Sequence, residues 1–210
     1  MARALAHVTQ AMQAFGACRR GGVRWMLLGG FLLGIFVPAT SAAQQEMELP
    51  VDLQLSLFLK VLSFDRQLRS RAGDELVVGV VMQRGYRASL KAGEEALRAL
   101  NVRGTNVDGL PVRALAIDLD SQPLAGALEG KTTVLYFAPL RGVDVSALAA
   151  SAAASGALTV TGVPRYVPLG VAVSARLQAD RPRLLLNLQA ARRAGADFSA
   201  ELLKLAEVIP

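Results

Sequence analysis

Seven consecutive apolar residues, Leu76-Val-Val-Gly-Val-Val-Met82, stand between Asp74-Glu75 and Gln83-Arg84-Gly85. A run this short and this uniformly apolar reads as a strand covered on both faces, as in a parallel sheet between layers of helices. A strand with one face in water would alternate apolar and polar side chains. The helical pattern of Ser89 to Leu100 follows directly, then a Gly/Asn-rich turn region over Asn101 to Leu110 and a second strand over Val112 to Leu119. Strand, helix and strand in that order are the unit of an α/β fold, because parallel neighbours cannot be joined by a tight turn.

The alternation continues to the C-terminus. A short helix within Gln122–Glu129 precedes a third strand, Thr132 to Ala138. Asp144 is placed to N-cap an Ala-rich helix running through Ala154, with Gly156 just past its end. Leu158 to Thr161 is a fourth strand, and Val171 to Leu177 with Arg183 to Leu188 predict an antiparallel hairpin around Gln178-Ala-Asp-Arg-Pro182. One turn of helix over Gln189–Ala194 closes on Gly195, and a last helix starts at Ser199, with Phe198 set to pack on Leu203 as a hydrophobic staple. The expected fold is a single α/β domain: a mixed, mostly parallel sheet flanked by helices, with a C-terminal antiparallel hairpin and helix.

Val51 to Leu68 reads as one helix whose polar residues Asp52, Ser56, Lys60, Ser63 and Gln67 draw a single narrow stripe. A helix covering one face of a sheet needs an apolar stripe of only about 100°. The surplus apolar surface, around Phe58, Leu62 or Phe64, is expected either to lie inside the core or to meet a second protein or a second copy of the chain.

Residues 1–43 read as an export signal and residues 44–210 as the domain. Arg19, Arg20 and Arg24 precede an apolar run from Trp25 to Val37, then Pro38, and small residues at Ser41 and Ala43 in the positions that favour cleavage. The run is 13 residues long, about 20 Å of helix, against a hydrocarbon core of ~30 Å. Cleavage near Ala43 and a periplasmic mature chain are expected; an uncleaved anchor is the alternative, and Met12 is a second candidate start.

That division changes the charge. The first 43 residues hold four of the 23 basic residues, none of the 17 acidic ones, and the only Cys, His and Trp (Cys18, His7 and Trp25). Without them 19 basic residues face 17 acidic ones, so the net charge falls from +6 to +2. Such a chain lacks the counterion-releasing surface of a nucleic-acid binder. With neither His nor Cys it has no disulfide, no Cys/His zinc site and no Ser-His-Asp or Cys-His nucleophile. No catalytic residue, metal or cofactor is expected.

The remaining motifs carry little chemistry. Gly126-Ala-Leu-Glu-Gly130-Lys131-Thr132 is one residue short of a phosphate-binding loop and leads into a strand rather than a helix. Asp118 and Asp120 share one face at a strand end, and two carboxylates without further oxygen ligands read as a solvated turn. Four arginines deserve comparison with a ligand site. Arg84 and Arg87 follow the first strand and enter a helix, and Arg141 and Arg165 follow the third and fourth strands. Open α/β sheets bind ligands at the carboxyl ends of their strands, and helix N-termini favour anions. A small-anion cleft is therefore one reading of these residues, and ordinary solvated loops are the other.

At the C-terminus a strand ending in Asn187-Leu188 leads into Ala190-Ala191-Arg192-Arg193-Ala194-Gly195, followed by Leu202-Leu203-Lys204-Leu205-Ala206. This resembles the YfiR-like periplasmic family, whose pattern there is a strand ending I-N-L, an A-x-R-A-G turn and a terminal helix with L-L-x-L-A. Gly109-Leu-Pro111-Val112, Val134-Leu-Tyr-Phe137 and Leu158-Thr-Val160 match that family's upstream strands more loosely, so the resemblance spans roughly Pro50 to Ile209. It implies a non-catalytic regulator that binds and represses an inner-membrane diguanylate cyclase, or a sensor kinase, from the periplasm, and so modulates cyclic-di-GMP and biofilm formation. For the motif residues a structural role is expected: Asn187 bonding the following turn, Ala191, Arg193 and Ala194 shaping it, Gly195 at positive φ, and Leu202, Leu203 and Leu205 in the core. Two functions thus stand open: a protein-binding regulator, with a homodimer as a further option, and a periplasmic binder of a small anion.

Overall fold

The computed structural model describes residues 46–102, 104–128 and 132–209. The expected export signal and Glu129, Gly130 and Lys131 of the near-miss phosphate loop lie outside the described residues. In chain order the elements are α1 (Val51–Leu62), α2 (Leu68–Ala72), β1 (Leu76–Met82), α3 (Arg87–Leu100), β2 (Asn106–Val107), β3 (Leu110–Asp118), α4 (Leu124–Ala127), β4 (Val134–Phe137), α5 (Val145–Ala154), β5 (Leu158–Thr161), β6 (Val173–Gln178), β7 (Arg181–Asn187), α6 (Leu188–Arg193), α7 (Ala200–Leu205) and β8 (Glu207–Ile209).

The apolar run forms β1 over the predicted residues, and every one of them is buried. Two layers cover it. Leu76, Val78, Val80 and Met82 pack with α1 and α3 on one face, while Val81 joins Ile117, Leu135 and Phe137 against α4 and α5 on the other. The described strands form one sheet in the order β2-β3-β1-β4-β5-β6-β7-β8. Strands β3, β1, β4, β5 and β6 run parallel, β6 and β7 are antiparallel, and β8 returns parallel to β7. This is the mixed, mostly parallel α/β sheet with a C-terminal hairpin that the sequence pattern implies.

Local signals explain most boundaries. Asp144 accepts a hydrogen bond from the Ala147 amide at 3.1 Å and starts α5 as expected. The β6–β7 hairpin is tighter than the five-residue stretch suggested. Gln178 pairs with Arg181, leaving Ala179 and Asp180 as a two-residue turn with φ of 48° and 59°. Strands β2 and β8 were not foreseen, being two and three residues long.

The first helix departs most from expectation. It ends at Leu62 rather than continuing to Leu68. Asp65 instead forms an antiparallel bridge with Phe198, with Arg66 N donating to Asp197 O at 2.9 Å and Ser199 N to Phe64 O at 3.0 Å. The Asp65 side chain is fully buried. Its Oδ2 accepts from Arg71 Nη2 at 2.6 Å, and its Oδ1 accepts the Gln67 and Asp197 amides at 3.0 and 2.9 Å. Arg71 Nη1 donates onward to the carbonyls of Thr133 and Gly156 at 3.3 and 3.2 Å. One buried ion pair therefore ties the α1–α2 turn to the start of β4, the end of α5 and the entry to α7.

A second buried polar contact sits within the apolar arc of α1. Gln54, fully buried, donates to Leu49 O at 2.6 Å and accepts from the Tyr136 hydroxyl at 3.1 Å. A side chain on Gly162 would collide with the Gln54 amide, so glycine after β5 leaves room for that amide in its hydrogen-bonded position. Burial pushes the Tyr136 phenol well above its ordinary value of 10.0, with the charge of Glu95 adding to the effect.

Two stability predictions follow from these contacts. Asp65→Ala leaves the Arg71 guanidinium and two amides without their acceptor and should cost about 3–5 kcal/mol, read as a lower urea midpoint. Tyr136 has a raised folded pKa, so its contribution is complete below pH 10.0 and is lost as pH climbs above that value. Wild type should therefore lose stability more steeply than Tyr136→Phe above pH 10.0, by up to ~1.4 kcal/mol per pH unit; equal slopes would remove Tyr136 as the cause.

Candidate functional site

The chain leaves β1 for β3 on one side and returns to β4 on the other, so the carboxyl ends of β1 and β4 mark the switch point of the sheet. A doubly wound sheet opens a crevice there. Here polar side chains lace it. Gln83, the first residue after β1, accepts the Arg141 amide at 2.8 Å and donates to the Arg141 carbonyl at 3.1 Å. Its amide group thereby does what a neighbouring strand's backbone would do. The Tyr166 hydroxyl repeats the pattern, accepting Leu140 N at 2.8 Å and donating to Leu140 O at 3.1 Å.

The four arginines lie along this edge but do not gather around one cleft. Arg84 pairs with Asp118, its Nε 3.3 Å from Oδ2. Asp118 Oδ1 also accepts the Arg84 and Asp120 amides at 3.3 and 3.1 Å, and Asp120 Oδ2 accepts the Gly85 amide at 2.7 Å. The two carboxylates thus hold the loop between β1 and α3, as a solvated turn does. Arg87 is exposed on the first turn of α3, and the Arg141 side chain is exposed beside its laced backbone. Arg165 reaches Glu46 at 2.6 Å and lies 5.7 Å from the Tyr166 ring centroid. Burial works against the charge of Arg165, but Glu46 and Tyr166 outweigh it and its pKa is raised. The neighbouring Tyr86 phenol is also raised, first by burial and then by the Glu46 charge, with Arg141 opposing.

The residues singled out on α1 separate. Phe58 and Leu62 are each 2% exposed and belong to the core, so they offer no surface to a partner. Phe64 is half-buried, with the Lys60 ammonium 5.6 Å from its ring centroid, and it lines a cleft of about 470 Å³. The exposed apolar residue on this helix is Leu53, at 41%, with Leu57 half-buried one turn further.

The residues of the C-terminal motif divide between core and surface. Asn187 accepts the Ala190 amide at 2.8 Å, capping α6, and donates to Val167 O at 3.2 Å. Ala191 and Ala194 are buried, and Gly195 has φ of 78°. Arg193 is exposed and lines two clefts of about 660 and 730 Å³. Leu202 is buried and Leu203 half-buried, but Leu205, expected in the core, is 63% exposed because α7 ends there and the chain turns into edge strand β8. Ser199 holds the N-cap position of α7 without a side-chain cap bond.

The sequence model of the YfiR/HmsC-like family matches residues 53–207. The chain belongs to the YfiR/HmsC-like family. No match to a curated protein sequence was found. Among solved structures, an ABC domain in complex with L-Trp from Streptococcus pneumonia is similar in fold, at 15% identity and a TM-score of 0.52. A conserved domain protein from Vibrio cholerae is similar at 14% identity and the same TM-score. Each likeness covers 76% of this chain and 60% of the other. Among the described residues of this YfiR/HmsC-like chain, no three His, Cys, Asp or Glu side chains gather as metal ligands, and no helix is long and apolar enough to cross a membrane.

Among the described residues, five surface clefts of about 470–730 Å³ are lined by none of Arg84, Arg87, Arg141 and Arg165. The sequence pattern missed Gln83, Tyr86 and Glu46, because each matters only through a partner far away in the chain. Asp120→Ala should leave global stability within about 1 kcal/mol while speeding amide exchange at Gly85, since an exposed loop contact is lost without opening the core. Unchanged exchange at Gly85 would show that Asp120 does not hold the loop.

Proposed function

We propose that this chain is a periplasmic regulator without catalytic activity, which binds the periplasmic region of an inner-membrane diguanylate cyclase or sensor kinase and holds it inactive. Membership of the YfiR/HmsC-like family over residues 53–207 is the observation that carries this reading. The sequence agrees with it, since residues 44–210 contain neither His nor Cys.

For the contact surface the accessible part of α1 is the best supported. Leu53, Leu57 and Lys60 recur at spacings of four and three along one side of α1, and Phe64, just past its end, has its ring 5.6 Å from the Lys60 ammonium. Covering Leu53 and Phe64 against a partner would contribute roughly 2–4 kcal/mol before association costs. A second reading, a periplasmic binder of a small anion, draws support from the switch-point loops and from the likeness in fold to a domain in complex with L-Trp.

Deleting the gene should raise cyclic-di-GMP or kinase output, and Leu53→Asp, with folding verified by circular dichroism, should reproduce the effect and lose co-purification with the membrane protein. Output unchanged on deletion would refute the regulatory reading. A folded Leu53→Asp variant that still silences its partner would move the interface away from α1.

A further inference from the structure

The segment ahead of α1 crosses the carboxyl edge of the sheet. Met47 packs against the core clusters of both faces, and its sulfur lies 3.9 Å from the Tyr136 hydroxyl. Glu48 accepts the Leu177 amide of β6 at 2.6 Å. Glu46 lies beyond Met47 and puts its carboxylate on Arg165, just after β5. Only one of its oxygens is used: Oε2 is buried without a hydrogen-bond partner among the described residues. The phenol of Tyr86, after β1, feels both this carboxylate and the Arg141 guanidinium. One carboxylate therefore meets a cation after β5 and acts on a phenol after β1, at the edge where a sheet of this topology takes ligands.

We propose that this edge is a carboxylate-binding site which the chain keeps occupied with its own Glu46, and that a carboxylate-bearing ligand binds there by displacing Glu46 and Met47. The proposal deepens the ligand-binding reading and is independent of the regulatory one. The physical reason is that Glu46 is an imperfect occupant. Tethered through Met47 and Glu48, it satisfies Arg165 with one oxygen and loses the hydration of the other. A free carboxylate can turn to use both oxygens. Glu48 stays tied to Leu177, so the displacement is confined to the chain ahead of it.

The test uses the exported chain, its Glu46→Ala variant and the double variant Glu46→Ala/Arg165→Ala, titrated calorimetrically with two probes. N-acetyl-L-glutamate represents a free small acid, and the peptide acetyl-Glu-Met-Glu-Leu-Pro-amide represents an acidic protein segment. Glu46→Ala should bind at least one probe about tenfold more tightly than wild type, the gain expected when a site open in roughly a tenth of the molecules becomes fully open. Arg165→Ala should abolish that binding. Faster amide exchange at Met47 in Glu46→Ala, with an unchanged thermal midpoint, would show the segment released in a folded protein. Binding of the small acid identifies a free ligand as sufficient, and binding of the peptide alone identifies a protein segment. Equal, Arg165-dependent affinity in wild type and Glu46→Ala would keep the ligand reading and overturn self-occupation. Binding that ignores Arg165, or none to the folded variant, would overturn both.

Discussion

The Asp65–Arg71 pair is the contact on which the amino edge of this molecule depends. Burying two charges is costly unless each is neutralised and every remaining donor or acceptor is used. Asp65 comes close to that condition by accepting the guanidinium and two backbone amides, and Arg71 Nη1 bonds two carbonyls while its Nε is buried without a partner among the described residues. The consequence is long-range. Residues 65 and 71 lie ahead of β1, yet their partners are Thr133, Gly156 and Asp197. A helix continuing past Leu62 would carry Asp65 away from Phe198 and leave these groups unpaired, so the pair fixes where α1 stops and where the last helix begins.

The carboxyl edge is organised by the same economy with neutral groups. Gln83 and Tyr166 each both donate and accept at a single loop residue, and Gln54 joins α1 to Tyr136. The crevice of an open parallel sheet is in this chain a set of cross-linked loops with the Glu46–Leu49 segment laid over it. Arg87 and Arg141 are exposed on these loops, and Leu53 is exposed on α1.

How much of this was legible in the residues depends on how far each signal acts. Period and composition report on neighbours, so β1 was readable from seven apolar residues, α5 from Asp144 and Gly156, and the Asn187 turn from its own side chain. The apolar surplus of α1 was also readable, but not its destination. Phe58 and Leu62 point into the core, whereas Leu53 remains outside, and a helical wheel does not say which side of a nearly all-apolar helix the sheet will occupy. The role of Gln54 could not be read from that wheel, because its partners, Tyr136 and Leu49, come together with it only in the folded chain. Leu205 matched a core pattern locally, yet the chain leaves the helix there and exposes it at the sheet edge.

The residues by themselves determined the α/β class, the order of the main strands and helices, and the absence of His and Cys chemistry from residues 44–210, because hydrophobic period, capping and composition are local properties. Only the tertiary structure decided which charges meet. Arg84 turns to Asp118, Arg165 to Glu46 and Arg71 to Asp65, pairs separated by 34, 119 and 6 residues. Electrostatic pairing acts through distance in space, and distance in space follows from the fold, including the strand order that brings β3, β1, β4 and β5 side by side.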